Sequence, residues 1–151
     1  MNYTQKLAGV TAGVMLLLTF SAFTAMKPDG KNKFLEGKKY EVQFYEMKAS
    51  GRGKAVPSSV VIKGGKIQCD LMEDKINLGP ATYKVITDSS YTEDDTPMHM
   101  VSFEGTYTDD KNEYKWEATV TNYDIEGTAV QMKGGVEKKK YEFSGSEKTK
   151  K

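Results

Sequence analysis

Glu113-Tyr-Lys-Trp-Glu-Ala-Thr-Val-Thr121 is the stretch that decides the fold. Tyr114, Trp116, Ala118 and Val120 fall on one side of an extended chain, and Glu113, Lys115, Glu117 and Thr119 on the other. That repeat has period two, the signature of a strand with one face in a core. A helix would need apolar residues three and four apart, and this stretch does not supply them.

The same alternation recurs on both sides of it. Tyr40, Val42 and Phe44 alternate with Glu41 and Gln43 in an expected strand over about 39–48. Strands are also expected over about 58–63, 66–72 and 81–87, then over about 98–107, 125–133 and 137–144. Gly64-Gly65 and Gly134-Gly135 read as tight hairpin turns. Gly79-Pro80 reads as a breaker ahead of the fourth strand. Glu73–Leu78 offers at most a single helical turn.

The predicted class is therefore all-β: eight sequential antiparallel strands with short connections. Such a meander closes naturally into an up-and-down barrel, which leaves no sheet edge. A two-sheet sandwich fits the same pattern.

The N-terminus reads differently. Lys6 is the only charge before Lys27, and Leu7–Ala25 is an uncharged run centred on Val14-Met-Leu-Leu-Leu18. This is the layout of a secretory signal peptide over 1–25, forming an N-terminal signal helix. Cleavage after Ala25 places Phe23 at the −3 position, where a small residue is preferred; cleavage after Thr24 places Ala22 there. An uncleaved anchor is the competing reading, since the run approaches the shortest length that spans a bilayer. No cysteine stands at the end of the run, so it does not read as a lipoprotein signal. Residues 26–33 read as a flexible polar spacer, 34–146 as the barrel domain and 147–151 as a charged tail. The expected location is periplasmic or secreted.

Composition narrows the function. The chain has 151 residues and a net charge of +1, and aromatics make up 11% of it. Without the leader and its Lys6, 21 basic side chains balance 21 acidic ones. That balance provides no electrostatic drive toward nucleic acid. The lysines of Lys138-Lys139-Lys140 and of the tail are interleaved with Glu137, Glu142 and Glu147, as on a solubilising surface.

Each candidate for chemistry has a plainer reading beside it. His99 is the only histidine and has no second histidine or cysteine at metal-ligand spacing. Cys69 is the only cysteine and alternates with Ile67 and Leu71, as a small buried hydrophobe would. Glu93-Asp94-Asp95 and Asp109-Asp110 read as solvated acidic turns at opposite ends of a meander. No nucleophile is visibly paired with a base. The expectation is a non-enzymatic protein with no catalytic residue, no metal and no cofactor.

Further motifs carry a family likeness. Phe34-Leu-Glu-Gly-Lys38 precedes the first strand, and Val60-Val-Ile-Lys-Gly-Gly-Lys-Ile67 forms a glycine-turned hairpin. Trp116-Glu-Ala-Thr-Val120, Ile125-Glu-Gly-Thr128 and Tyr141-Glu-Phe-Ser-Gly145 follow. Over residues 34–146 the chain resembles the small exported lipocalin-like (calycin) proteins of bacteria.

In a ligand-holding barrel the inward side chains are both core and pocket wall. The expected interior comprises Val42, Phe44, Ile67, Leu71, Tyr83, Trp116 and Val120. The glycine-rich stretch 49–57 reads as a long loop at the mouth, with Arg52 and Lys54 near any ligand. The leading expectation is a carrier of a small hydrophobic molecule. The alternative is a structural or protein-interaction module of the cell envelope with a filled barrel. Contact with a membrane is expected only through an uncleaved leader, and the oligomeric state is left open.

Overall fold

The computed structural model describes residues 31–70 and 80–149. The expected signal helix, Leu71 and the segment Glu73–Leu78 lie outside the described residues. The described elements are eight strands: β1 (Lys39–Lys48), β2 (Gly51–Lys63), β3 (Lys66–Cys69), β4 (Ala81–Glu93), β5 (Thr96–Thr108), β6 (Glu113–Thr121), β7 (Asp124–Lys133) and β8 (Val136–Glu147). Each pairs antiparallel with its sequence neighbour, and β8 returns to β1, so the strands close into a ring.

The period-two pattern places the core. Along β6 Tyr114, Trp116, Ala118 and Val120 are buried, and along β1 Tyr40, Val42 and Phe44 are. Facing strands add Val60, Ile62, Val101, Phe103, Ile125 and Phe143 to one continuous cluster. Two positions on this face require glycine. A Cβ on Gly145 would overlap the Glu41 carbonyl oxygen and lie 2.7 Å from Val42 Cα, where β8 closes on β1. A Cβ on Gly127 would meet the Glu117 carbonyl oxygen and the Phe143 ring.

Both expected glycine turns are present, with φ of 65° and 74° at Gly64-Gly65 and 59° and 76° at Gly134-Gly135. Left-handed backbone at both central residues matches the twist of a two-residue hairpin. Asp94 and Asp95 do the same with φ of 46° and 62°. The acidic run is therefore the tip of a long β4–β5 hairpin, not an open loop.

Three boundaries depart from the sequence reading. The stretch 49–57 is not a long loop: β2 begins at Gly51, and Arg52 pairs with Met47. Pro57 is accommodated there because β3 pairs only with Val60–Lys63, so β2 is an edge at that level among the described residues. Second, β4 and β5 extend the expected strands into a hairpin running from Ser89 to Met100. Third, Asn32, expected in the spacer, is buried in the folded unit, and Glu147, expected in the tail, pairs with Tyr40 at the end of β8.

Candidate functional site

The interior of the ring was the expected site. Its side chains do converge: Val42, Phe44, Ile67, Tyr83, Trp116 and Val120 are all between 0% and 2% exposed. Leu71, expected beside them, lies outside the described residues. The centre is filled by aromatic rings. Phe44 stacks on Phe143 at 5.0 Å between centroids, and Trp116 meets Phe143 edge-on at 5.6 Å. Tyr83 packs against Phe103 at 5.4 Å. A void wide enough for water would leave accessible surface on the side chains around it. These six have almost none.

Arg52 does not join them. Its guanidinium lies 3.7 Å from the centroid of the Tyr45 ring and 3.7 Å from the Glu142 carboxylate. Both partners alternate with inward residues, so Arg52 is on the outer face. The expected mouth over 49–57 is replaced by a tight β1–β2 turn.

The opposite end of the ring, where β1 starts and β8 stops, is closed by the segment 32–38. Asn32 organises it. Its side-chain oxygen accepts hydrogen bonds from the backbone N–H groups of Phe34 (2.8 Å) and Leu35 (3.2 Å), forming an Asx turn. Its side-chain amide donates to Asp88 Oδ2 at 2.7 Å, and its backbone N–H donates to the Tyr83 hydroxyl at 3.1 Å. That turn drives Leu35 fully into the core. The Glu36 carboxylate accepts from the backbone N–H groups of Gly64 and Gly65, tying the segment to the β2–β3 hairpin. Lys38 lies 4.0 Å over the Phe34 ring and pairs with Glu147 at 3.0 Å.

His99 sits in this closure. Its Nε2 is 2.7 Å from Asp88 Oδ1, and its ring stacks on Phe34 at 4.1 Å with the planes 4° apart. Its backbone N–H donates to the Asn122 side chain at 2.8 Å. A carboxylate holding a histidine is half of an acid–base site, because it fixes the tautomer and the ring orientation. A nucleophile would complete it, but no hydrogen bond joins this ring to a hydroxyl or thiol among the described residues. The pair instead anchors Phe34 and Asn32. Sequence reasoning missed Asp88 and Phe34 as partners of His99, and Asn32 as the partner of Asp88. They come together through hairpin register and a docked segment, and neither leaves a spacing signal.

Burial shifts several tyrosines on the inner face. It raises the Tyr40 hydroxyl well above its usual range, and the Glu147 carboxylate adds to the effect. That hydroxyl is buried with no hydrogen-bond partner among the described residues. Burial also raises Tyr83, partly offset by the hydrogen bond from the Asn32 N–H. Tyr114 and Tyr141 are raised mainly by burial as well.

The remaining candidates are separate. Cys69 is buried on the inner face, 3.6 Å from Ser58 Oγ. Asp109 caps the β5–β6 turn by accepting from the N–H groups of Lys111 and Asn112, which hold its carboxyl below the usual range. On the outside, an open groove of about 680 Å³ crosses β5 to β8, with Glu104, Glu117, Glu126 and Glu142 along it. Among the described residues no three His, Cys, Asp or Glu side chains are grouped to hold a metal ion. No protein-family model, curated protein or solved structure matches the chain.

Proposed function

We propose that this chain is an exported, non-enzymatic, lipocalin-like barrel that acts through its surface, as a structural or protein-interaction module of the cell envelope. One observation supports the choice over small-molecule carriage: Val42, Phe44, Ile67, Tyr83, Trp116 and Val120, six of the side chains expected to line a pocket, are 0–2% exposed and belong to one packed core. Ligand pockets of useful size are hundreds of cubic ångströms and leave their walls accessible when empty. The closure by Asn32–Lys38 supports the same reading, since Leu35 occupies one end of the interior. Export rests on the uncharged run Leu7–Ala25 behind Lys6.

Carriage retains one specific support. Tyr107 and Tyr141 are only half-buried near the β5–β6 and β7–β8 turns, so an apolar guest would enter from that end.

Native mass spectrometry of protein purified from its own host tests the choice. The expected result is the polypeptide mass, alone or with another polypeptide. A stoichiometric small molecule released on unfolding would overturn the surface reading in favour of carriage. Sequencing the N-terminus of the same material tests export: a start near Met26 is expected, and a start at Met1 points to an anchor.

A further inference from the structure

Among the described residues, the β4–β5 hairpin leaves a strand edge unpaired. There β3 meets β4 only at Lys66↔Thr82 and Ile67↔Ala81, and the Tyr83 N–H reaches the Gly65 carbonyl. From Lys84 to Glu93 no described strand lies on that side of β4. On its other side β4 pairs with β5 throughout, as far as Glu93↔Thr96. β6 stops against Met100, so the outer part of the hairpin projects past the ring.

The sequence of this edge is complementary to itself. A bulge between Val85 and Thr87 inserts Ile86, which breaks the alternation once. Val85 pairs with the buried Phe103, whereas Thr87 pairs with Ser102 on the outer face. Ile86 is 52% exposed and lines the outer groove. Two-residue steps from Thr87 place Ser89 and Tyr91 on that same face, and Tyr91 is 43% exposed. Lys84 stands at one end of the stretch and Glu93 at the other.

We infer that the β4 edge pairs antiparallel with the β4 edge of a second copy of this chain, about a two-fold axis at Ser89. This deepens the surface-acting reading and rests on it. In that register Asp88 of one copy lies opposite Ser90 of the other. The bulge sets Ile86 and Thr87 together against Tyr91, two residues facing one as bulges do. Val85 then meets Thr92, and Lys84 meets Glu93. The symmetry makes each of these contacts twice. A register centred on Asp88 would instead place two carboxylates face to face, which cross-strand pairing disfavours. A second copy fits better than an unrelated strand because base, acid and the two exposed apolar residues sit at symmetric positions of one segment.

Sedimentation of protein recovered from its host, over a range of concentrations, tests this. The expected result is a monomer–dimer equilibrium. Glu93→Lys alone should weaken the dimer about tenfold or more, since two attractive pairs become repulsive. Lys84→Glu alone should do the same, and the double exchange K84E/E93K should restore most of the affinity. Both positions are on an exposed hairpin, so the monomers should stay folded. Amide exchange of Val85–Glu93 should slow as the dimer forms. A chain that stays monomeric up to about 1 mM would sink the inference. So would a dimer indifferent to all three variants, or a complex in which another polypeptide protects this edge. A small molecule found inside the ring would refute the surface-acting reading by a different measurement.

Discussion

β6 and β7 are paired without interruption from Glu113↔Met132 to Thr121↔Asp124. Among the described residues β3 and β4 meet only at Lys66↔Thr82 and Ile67↔Ala81. The side of the ring formed by β6, β7, β8 and β1 is a wall of long pairings, and among the described residues the β3–β4 side is a narrow seam. The wall also carries the aromatic packing of Phe44, Trp116 and Phe143. Fewer ladder hydrogen bonds and fewer buried side chains lower the cost of local opening. The seam should therefore open at a smaller free energy than the wall, and global unfolding should require breaking the wall.

The largest expected effect breaks the wall. Gly145→Val would drive a side chain into the Glu41 carbonyl and the Val42 backbone at the β8–β1 closure. Clashes with backbone relax poorly, so the loss should exceed about 4 kcal/mol and leave little folded protein. Circular dichroism and solubility measure it; a stable, cooperative variant would show that the wall closes elsewhere.

A milder pair of substitutions sharpens the contrast. Trp116→Ala empties the centre of the wall and should cost about 3–5 kcal/mol in urea unfolding. Ile67→Val, on the seam, should cost about 0.5–1.5 kcal/mol. The seam substitution should speed amide exchange in Lys66–Cys69 more than in β6. Equal acceleration in both regions would mean that the ring opens as a single unit.

The smallest effect is a pH dependence that reaches both regions. Burial raises Tyr83 beside the seam and Tyr114 in the wall above the ordinary tyrosine value of 10.0. Above pH 10 the unfolded chain releases these protons and the native state retains them. Stability should therefore be complete below pH 10 and fall as pH rises through the raised values. Urea midpoints at about pH 8 and about pH 11 measure it. Tyr83→Phe and Tyr114→Phe should each reduce the alkaline loss, and no change with either would assign the loss to other groups.

The wall was more legible in sequence than the seam. β6 and β1 present clean alternation because one face of each meets solvent and the other a core. The turns at Gly64-Gly65 and Gly134-Gly135 announced themselves by composition. The stretch Gly51–Pro57 did not read as strand, because glycine and proline mark breaks and only pairing with β1 holds it extended. The polar run Ser89–Glu93 was misread for a related reason. It covers no core, so nothing selects apolar residues at every second position, and its strand state comes from the β5 partner. The expected interior was legible as a set of inward side chains. Whether they would enclose space was not, since that depends on how Phe44, Trp116 and Phe143 interlock. The His99–Asp88 cluster was hidden because Phe34 reaches His99, and Asn32 reaches Asp88, by folding back across the end of the ring.

That closure has a geometric consequence. The Lys148 N–H bonds the Lys39 carbonyl, so the incoming and outgoing chain leave the ring side by side. The described chain therefore enters and leaves the ring at one pole. The turns at 49–50, 109–112 and 134–135 lie at the opposite pole. The ring is thus a natural display platform, on which peptides grafted into those three turns would point away from the pole where the chain enters and leaves.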